Sequence, residues 1–173
     1  GFEPNVFTNS MGRIKTNSMD AATMNELLVN NVDYATNLYV SAYSAQNGGL
    51  TFSSWGSKAY MGSFDNNDWI CFSNVNFGTG VSNLSVIYTM GDNSTQRLFE
   101  VRLDSSWAPA VGSMRLANTG GWGSNTLCQQ ILCGLSISGT HHVYFYGKND
   151  GIANIHRFRF YRDSKTRSLT DTF

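Results

Sequence analysis

The chain has 173 residues, a length that suits one hydrophobic core, since single cores typically grow to roughly 100–200 residues before a chain splits. Its 12 Lys and Arg balance 12 Asp and Glu to a formal net charge of zero, so the field that would gather a phosphate backbone or an anionic membrane is missing, and nucleic acid is not expected as a partner. No apolar run approaches the ~20 residues needed to cross a bilayer, so no membrane partner is expected either. What remains is a surface of Asn, Ser, Thr and Gly interleaved with Tyr, Phe and Trp, which suits neutral, hydroxyl-rich ligands.

The chain opens at Gly1-Phe2-Glu3-Pro4, without a signal peptide, and reads as a fragment of a longer precursor. Residues 1–35 read as an N-terminal extension. Within them "SMDAATMNELLVNN" carries Ala, Met, Glu and Leu at near-helical spacing behind Ser18 or Asp20 as N-cap, which fits a short helix. It fits equally a wrap ordered only by the rest of the domain, because an isolated helix this short is marginal in water.

From residue 36 to 162 the pattern changes to short β-branched and aromatic segments punctuated by Gly, Asn, Asp and Ser. In chain order the predicted strands are "LYVSAY" (Leu38 to Tyr43), "DWICFSNVNF" (Asp68 to Phe77), "NLSVIYTM" (Asn83 to Met90) and "RLFEVRLD" (Arg97 to Asp104). "TLCQQILC" (Thr126 to Cys133), "HHVYFYG" (His141 to Gly147) and "NIHRFRFYR" (Asn154 to Arg162) follow. Most alternate, as strands with one buried face do; Phe99, Val101 and Leu103 should point inward, opposite Leu98, Glu100 and Arg102. The fold expected is all-β, a sandwich of two antiparallel sheets with a short N-terminal helix if the first segment forms one. Residues 163–173 read as a tail or linker. The loops "ANTGGWGSNT" and "GKNDGIAN" are dense in turn-forming residues and form the candidate functional surface.

Cys71, Cys128 and Cys133 have no zinc-site spacing. Either Cys128 and Cys133 bridge across "CQQILC" in an oxidising compartment, or all three are buried thiols. Two sequons, Asn83-Leu84-Ser85 and Asn93-Ser94-Thr95, would carry glycans after passage through a eukaryotic secretory pathway.

Trp122 stands out because its neighbours Gly120, Gly121 and Gly123 offer no side chains to bury an indole against, which implies an exposed ring. A pyranose presents an apolar C–H face that stacks on such a ring, and equatorial hydroxyls that need in-plane partners such as an Asn amide. Asn154 supplies an amide, although a turn-forming Asn bonding its own backbone reads equally from the residues alone. Asn149 and Asp150 lie near Asn154 in sequence and fit either hydroxyl contacts or a solvated turn.

The ordered set "YMGSFDNNDWICFSNVNFG", "FEVRLDS", "NTGGW" and "ISGTHHVYFYGKNDGIANIHRFRF" resembles the family 6 carbohydrate-binding modules, β-sandwiches of jelly-roll type, over about Tyr39 to Phe160. The resemblance implies a non-catalytic module that binds a polysaccharide or glycan in a cleft between loops. It also implies a secreted protein and a covalently linked glycoside hydrolase domain that the module targets. It places Trp122 and Asn154 on two of the family's contact positions, an aromatic wall and a hydroxyl anchor. The family's second wall is a tyrosine after the glycine matching Gly62; here that position is Ser63, leaving Phe64 or Tyr60 as the candidate ring, with a core role equally open for Phe64. The family's structural calcium uses a glutamate and an aspartate whose positions correspond to Ser41 and His156, so no metal or other cofactor is expected.

Catalysis finds no support in the residues. Glu100 and Asp104 are the only close acidic pair on a strand and read as a solvated sheet face, not as the two carboxyls of a glycosidase. His141 and His142 are adjacent strand residues and point to opposite faces. The alternative to a carbohydrate-binding module is a secreted structural or adhesion domain with a protein partner.

Overall fold

The structure, a computed structural model, describes residues 13–14, 32–92 and 97–163. Twelve strands occur among them: β1 (Arg13–Ile14), β2 (Val32–Tyr39), β3 (Ala45–Asn47), β4 (Thr51–Trp55), β5 (Lys58–Gly62), β6 (Trp69–Asn76), β7 (Val81–Thr89), β8 (Arg97–Leu103), β9 (Ala110–Leu116), β10 (Cys128–Ile137), β11 (Thr140–Gly147) and β12 (Asn154–Asp163). Seven form a larger sheet in the order β1-β10-β7-β12-β5-β4, with β2 also paired to β12. The other five form a smaller sheet, β3-β6-β11-β8-β9, and every pairing is antiparallel.

The core lies between the sheets and follows the alternation. Phe99 and Val101 are fully buried, whereas Glu100 and Arg102 face outward and pair with each other at 2.6 Å. Phe145 of β11 and Phe158 of β12 stack face to face, centroids 3.6 Å apart, and so join one sheet to the other. Phe72 and Phe99 pack edge-on against both, and Phe160 lies nearly parallel to Phe145 with centroids 6.0 Å apart. Aromatic rings bury some 150–250 Å2 each, and this cluster holds the sandwich together.

The expected N-terminal helix is corrected. No α-helix occurs among the described residues, which hold only the 3-10 turns Val40–Ala42 and Ser124–Thr126, and the segment read as helical lies outside them. A segment of that length depends on packing its apolar stripe against a core, and its local spacing alone does not make it a helix. The strand expected over Leu38 to Tyr43 instead ends at Tyr39, where a 3-10 turn swings Val40 fully into the core.

Cys128 and Cys133 do not bridge. Cys128 packs in the core and Cys133 is exposed, and five residues of strand separate them by about 17 Å, far beyond disulfide reach. Asn83 is buried in the ladder between β10 and β12, which closes its sequon to glycan attachment in the folded protein; Asn93 lies outside the described residues.

Candidate functional site

The site sits where several strands of the larger sheet reach one end. Asn154 opens β12 and is the register partner of Thr89, the last residue of β7. Gly62 closes β5 on the other side of β12, since Met61 pairs with Ile155. Gly62, Asn154 and Thr89 thus form one row across three strands.

Trp122 is tied to that row from the β9–β10 loop. The Thr89 hydroxyl donates to the Trp122 carbonyl at 3.0 Å, and Met90 forms an isolated bridge with Gly121. Thr119 fastens the same loop, donating its N–H to the Met90 carbonyl at 2.7 Å and accepting the Met90 N–H on its hydroxyl at 3.0 Å. The indole is 43% exposed, which leaves a ring surface free for a ligand. Beneath it lies the backbone of Gly91: a Cβ there would come within 2.5 Å of Trp122 Cδ1, so only glycine admits the ring so close.

A second glycine makes room for the amide. A Cβ on Gly62 would stand 2.7 Å from Asn154 Oδ1 and 3.3 Å from the Thr51 hydroxyl. Asn154 is half-buried, and its side-chain amide makes no hydrogen bond among the described residues, unlike a turn-forming Asn that bonds its own backbone. The Thr51 hydroxyl donates to Ser63 Oγ at 3.2 Å, and Ser63 is exposed at a φ of 53°. The strands thus bring together Trp122, Asn154, Thr89, Thr51 and Ser63, an indole beside amide and hydroxyl groups.

The other residues read from the sequence lie elsewhere. Phe64 is fully buried and packs against Phe99 in the core, beyond the reach of a ligand. Tyr60 is half-buried on the outer face of the larger sheet, stacked on Trp55 with centroids 4.0 Å apart. Asn149 accepts the Leu98 N–H on its side-chain carbonyl at 2.7 Å, fastening the β11–β12 loop to β8. Asp150 similarly accepts the Asn66 N–H. Of the paired groups, Asp104 and His141 bond to each other at 2.8 Å, whereas His142 Nδ1 accepts the Asn74 N–H. Glu100 and Asp104 therefore engage different partners.

Thr89, Gly91 and Thr51 were not legible in the sequence. Thr89 alone carried a signal, a hydroxyl closing the alternating run "NLSVIYTM". The outer face of the smaller sheet carries a further aromatic row, with Trp69 edge-on to Tyr144 and the Arg102 guanidinium 3.7 Å over the Tyr146 ring.

The calcium positions do not fit a cation. His156 donates from Nδ1 to the Ala59 carbonyl at 2.6 Å, and burial holds its pKa below the ordinary imidazole value, so the ring is favoured neutral. Ser41 lies exposed in the 3-10 turn, and neither residue offers the carboxylate charge that calcium requires.

The family model described as "Carbohydrate binding module (family 6)" matches residues 32–162, most of the chain. The chain belongs to the family 6 carbohydrate-binding modules. Modules of this family bind carbohydrate and are non-catalytic, and the same holds for this one. It is similar to the solved family 6 module from Clostridium cellulolyticum in complex with xylose, with a TM-score of 0.64 and 26% identity over 72% of this chain and 95% of that one. The module from Clostridium stercorarium in complex with cellobiose shares its fold, with a TM-score of 0.65 and 18% identity over 75% of this chain and 94% of that one. Among curated proteins the module is 29% identical, over 61% of its length, to the arabinoxylan arabinofuranohydrolase of Bacillus subtilis (strain 168). It spans only 20% of that relative.

Proposed function

We propose that the module binds a neutral β-linked polysaccharide of the xylan or β-glucan type at the loop cleft, with Trp122 stacking on a pyranose face and Asn154 bonding its hydroxyls. One observation carries this reading: Trp122, seated on bare backbone at Gly91 and 43% exposed, is tied to the row that holds an unpaired side-chain amide. Support for the ligand class comes from the relatives solved with xylose and with cellobiose. With Ser63 in place of a second ring, the sugar is held from one side, and affinity falls in the micromolar to millimolar range, roughly −8 to −4 kcal/mol.

The module acts in a secreted protein and directs a linked glycoside hydrolase to its polymer, raising the enzyme's local concentration without new contacts at the reacting bond. The matched region of the arabinofuranohydrolase, a small part of a larger enzyme, supports this arrangement.

The test is a polysaccharide-gel and glycan-array screen of the wild type and Trp122→Ala, with and without chelator. Binding that is lost in the variant and indifferent to chelator supports the proposal. A folded wild type that retains no binding to any glycan overturns it.

A second reading, an adhesion domain with a protein partner, is favoured by Trp107. This residue is 83% exposed on the β8–β9 hairpin, at the opposite end of the sandwich from Trp122. Trp107→Ala should leave every glycan signal unchanged; a loss of glycan binding there would sink the separation of the two ends.

A further inference from the structure

The two sheets do not close along one flank. β3 pairs with β6 only over Trp69, Ile70 and Cys71, so the rest of β6 is an edge, and β2 faces it from the larger sheet. A cleft of about 310 Å3 opens between them. Leu38, Phe72 and Val75, all buried, form its apolar floor, while Thr36, Asn37 and Asn74 stand among the amides and hydroxyls of its rim. Its lining includes no acidic or basic side chain. The Tyr34 hydroxyl bonds to the Asn76 carbonyl, tying β2 to β6 beside the cleft.

The backbone of β6 is bent at this place. The register against β11 shifts between His141 and Val143, so Ser73 and Asn74 together face His142. Asn74 takes a φ of 54° and is held there by its N–H donating to His142 Nδ1 at 3.1 Å. A bulge re-aims side chains, and a left-handed non-glycine residue is a strained position of the kind that collects at binding sites. Here it accompanies an exposed Asn74 side chain that has no partner among the described residues, and Thr36 likewise leaves its hydroxyl unpaired among them.

We propose that this flank cleft is a second carbohydrate-binding site, separate from the loop cleft, that seats a neutral pyranose unit on Leu38, Phe72 and Val75 with hydroxyl contacts to Asn74 and Thr36. The choice of sugar as ligand class rests on the module's carbohydrate binding; the place rests on the cleft alone. A volume near the lower end of ligand pockets, with an apolar floor and an uncharged polar rim, is the chemistry of a sugar ring. An extended peptide adding to the β6 edge is disfavoured, because strand addition needs a regular ladder. The bulge breaks that ladder, and the Ser73 N–H already donates to Ser44 Oγ at 2.9 Å. Two sites on one module would let it bridge two chains, or two stretches of one chain, and gain avidity.

The test is a backbone-amide NMR titration with xylohexaose, cellohexaose and laminarihexaose in the wild type, Trp122→Ala, Thr36→Val and Ser73→Trp. The expected result is saturable shifts over residues 36–39 and 73–76 that persist in Trp122→Ala. They should weaken about three- to tenfold in Thr36→Val, the loss of one hydrogen bond, and vanish in Ser73→Trp, which fills the cleft. Thr36→Val removes a single hydroxyl and keeps the test valid where the larger substitution unfolds the protein. Shifts confined to residues 89–91, 121–123 and 154 overturn the flank site and leave the loop cleft standing. Shifts on the flank alone support the flank site and overturn the loop cleft. Silence at both overturns both.

Discussion

Phe145 with Phe158, and Trp122, show two uses of an aromatic ring in one module. The two phenylalanines stack on each other and are fully buried, so their contacts are spent within the chain. Trp122 rests on the Gly91 backbone with much of its ring in solvent. A ring enclosed by its own protein stabilises the fold, and a ring left partly open is available to a ligand. Tyr60, half-buried and stacked on Trp55, stands between these cases and nearer the first.

The buried pair carries the larger share of stability. Phe158→Ala should cost about 3–5 kcal/mol, read as a large fall in the denaturation midpoint, while the fraction still folded keeps its glycan affinity. Trp122→Ala should do the reverse, weakening glycan binding at least about tenfold, on the order of 1.4 kcal/mol, with little change in midpoint. If calorimetry showed Trp122→Ala as destabilising as Phe158→Ala, the indole would be a plug and not a platform. Ser63→Tyr should sharpen the contrast by supplying a second wall; a gain of roughly two- to tenfold in affinity is expected, from a stacking contribution of about 0.5–1.5 kcal/mol.

The smallest effect belongs to a contact that involves no ring stacking. The bond to Asp104 raises the pKa of His141, and the same bond lowers that of Asp104. The raised imidazole contributes stability that is present below its ordinary value of 6.5 and lost as pH rises through its folded value. The lowered carboxylate contributes above its ordinary 3.8 and loses that as pH falls through its folded value. The pair therefore helps most between those two values. Because the pair is only partly buried and screened by solvent, His141→Gln should cost below about 0.5 kcal/mol at pH 5.5 and less at pH 8.5, measured as the difference in melting temperature from wild type.

The strands that carry the core were legible because burial follows a period of two, as Phe99 and Val101 show against Glu100 and Arg102. β4 was not, since "TFSSW" is exposed along most of its length and has no buried alternation to read. β9, "AVGSMRL", is likewise without buried alternation over its first half. The helical spacing of residues 18–31 is a local signal, which sequence alone gives no tertiary context to decide, and the segment lies outside the described residues. At the site, Trp122 announced itself through its flanking glycines, but the glycine under its ring is Gly91, on a loop remote in sequence. Likewise Gly62 lies far along the chain from the Asn154 amide it admits, and one sequence gives no distance between loops.

The hydrogen bond from His156 to Ala59 has a consequence for where the module can work. A neutral imidazole held in a buried niche resists taking up a proton, so the stability it secures is complete above its ordinary value of 6.5 and erodes as pH falls toward its lowered folded value. At a position where the family's pattern places a calcium ligand, this chain joins β12 to β5 with a side chain that answers to acidity, and the supply of divalent ions in the surroundings becomes irrelevant to that joint.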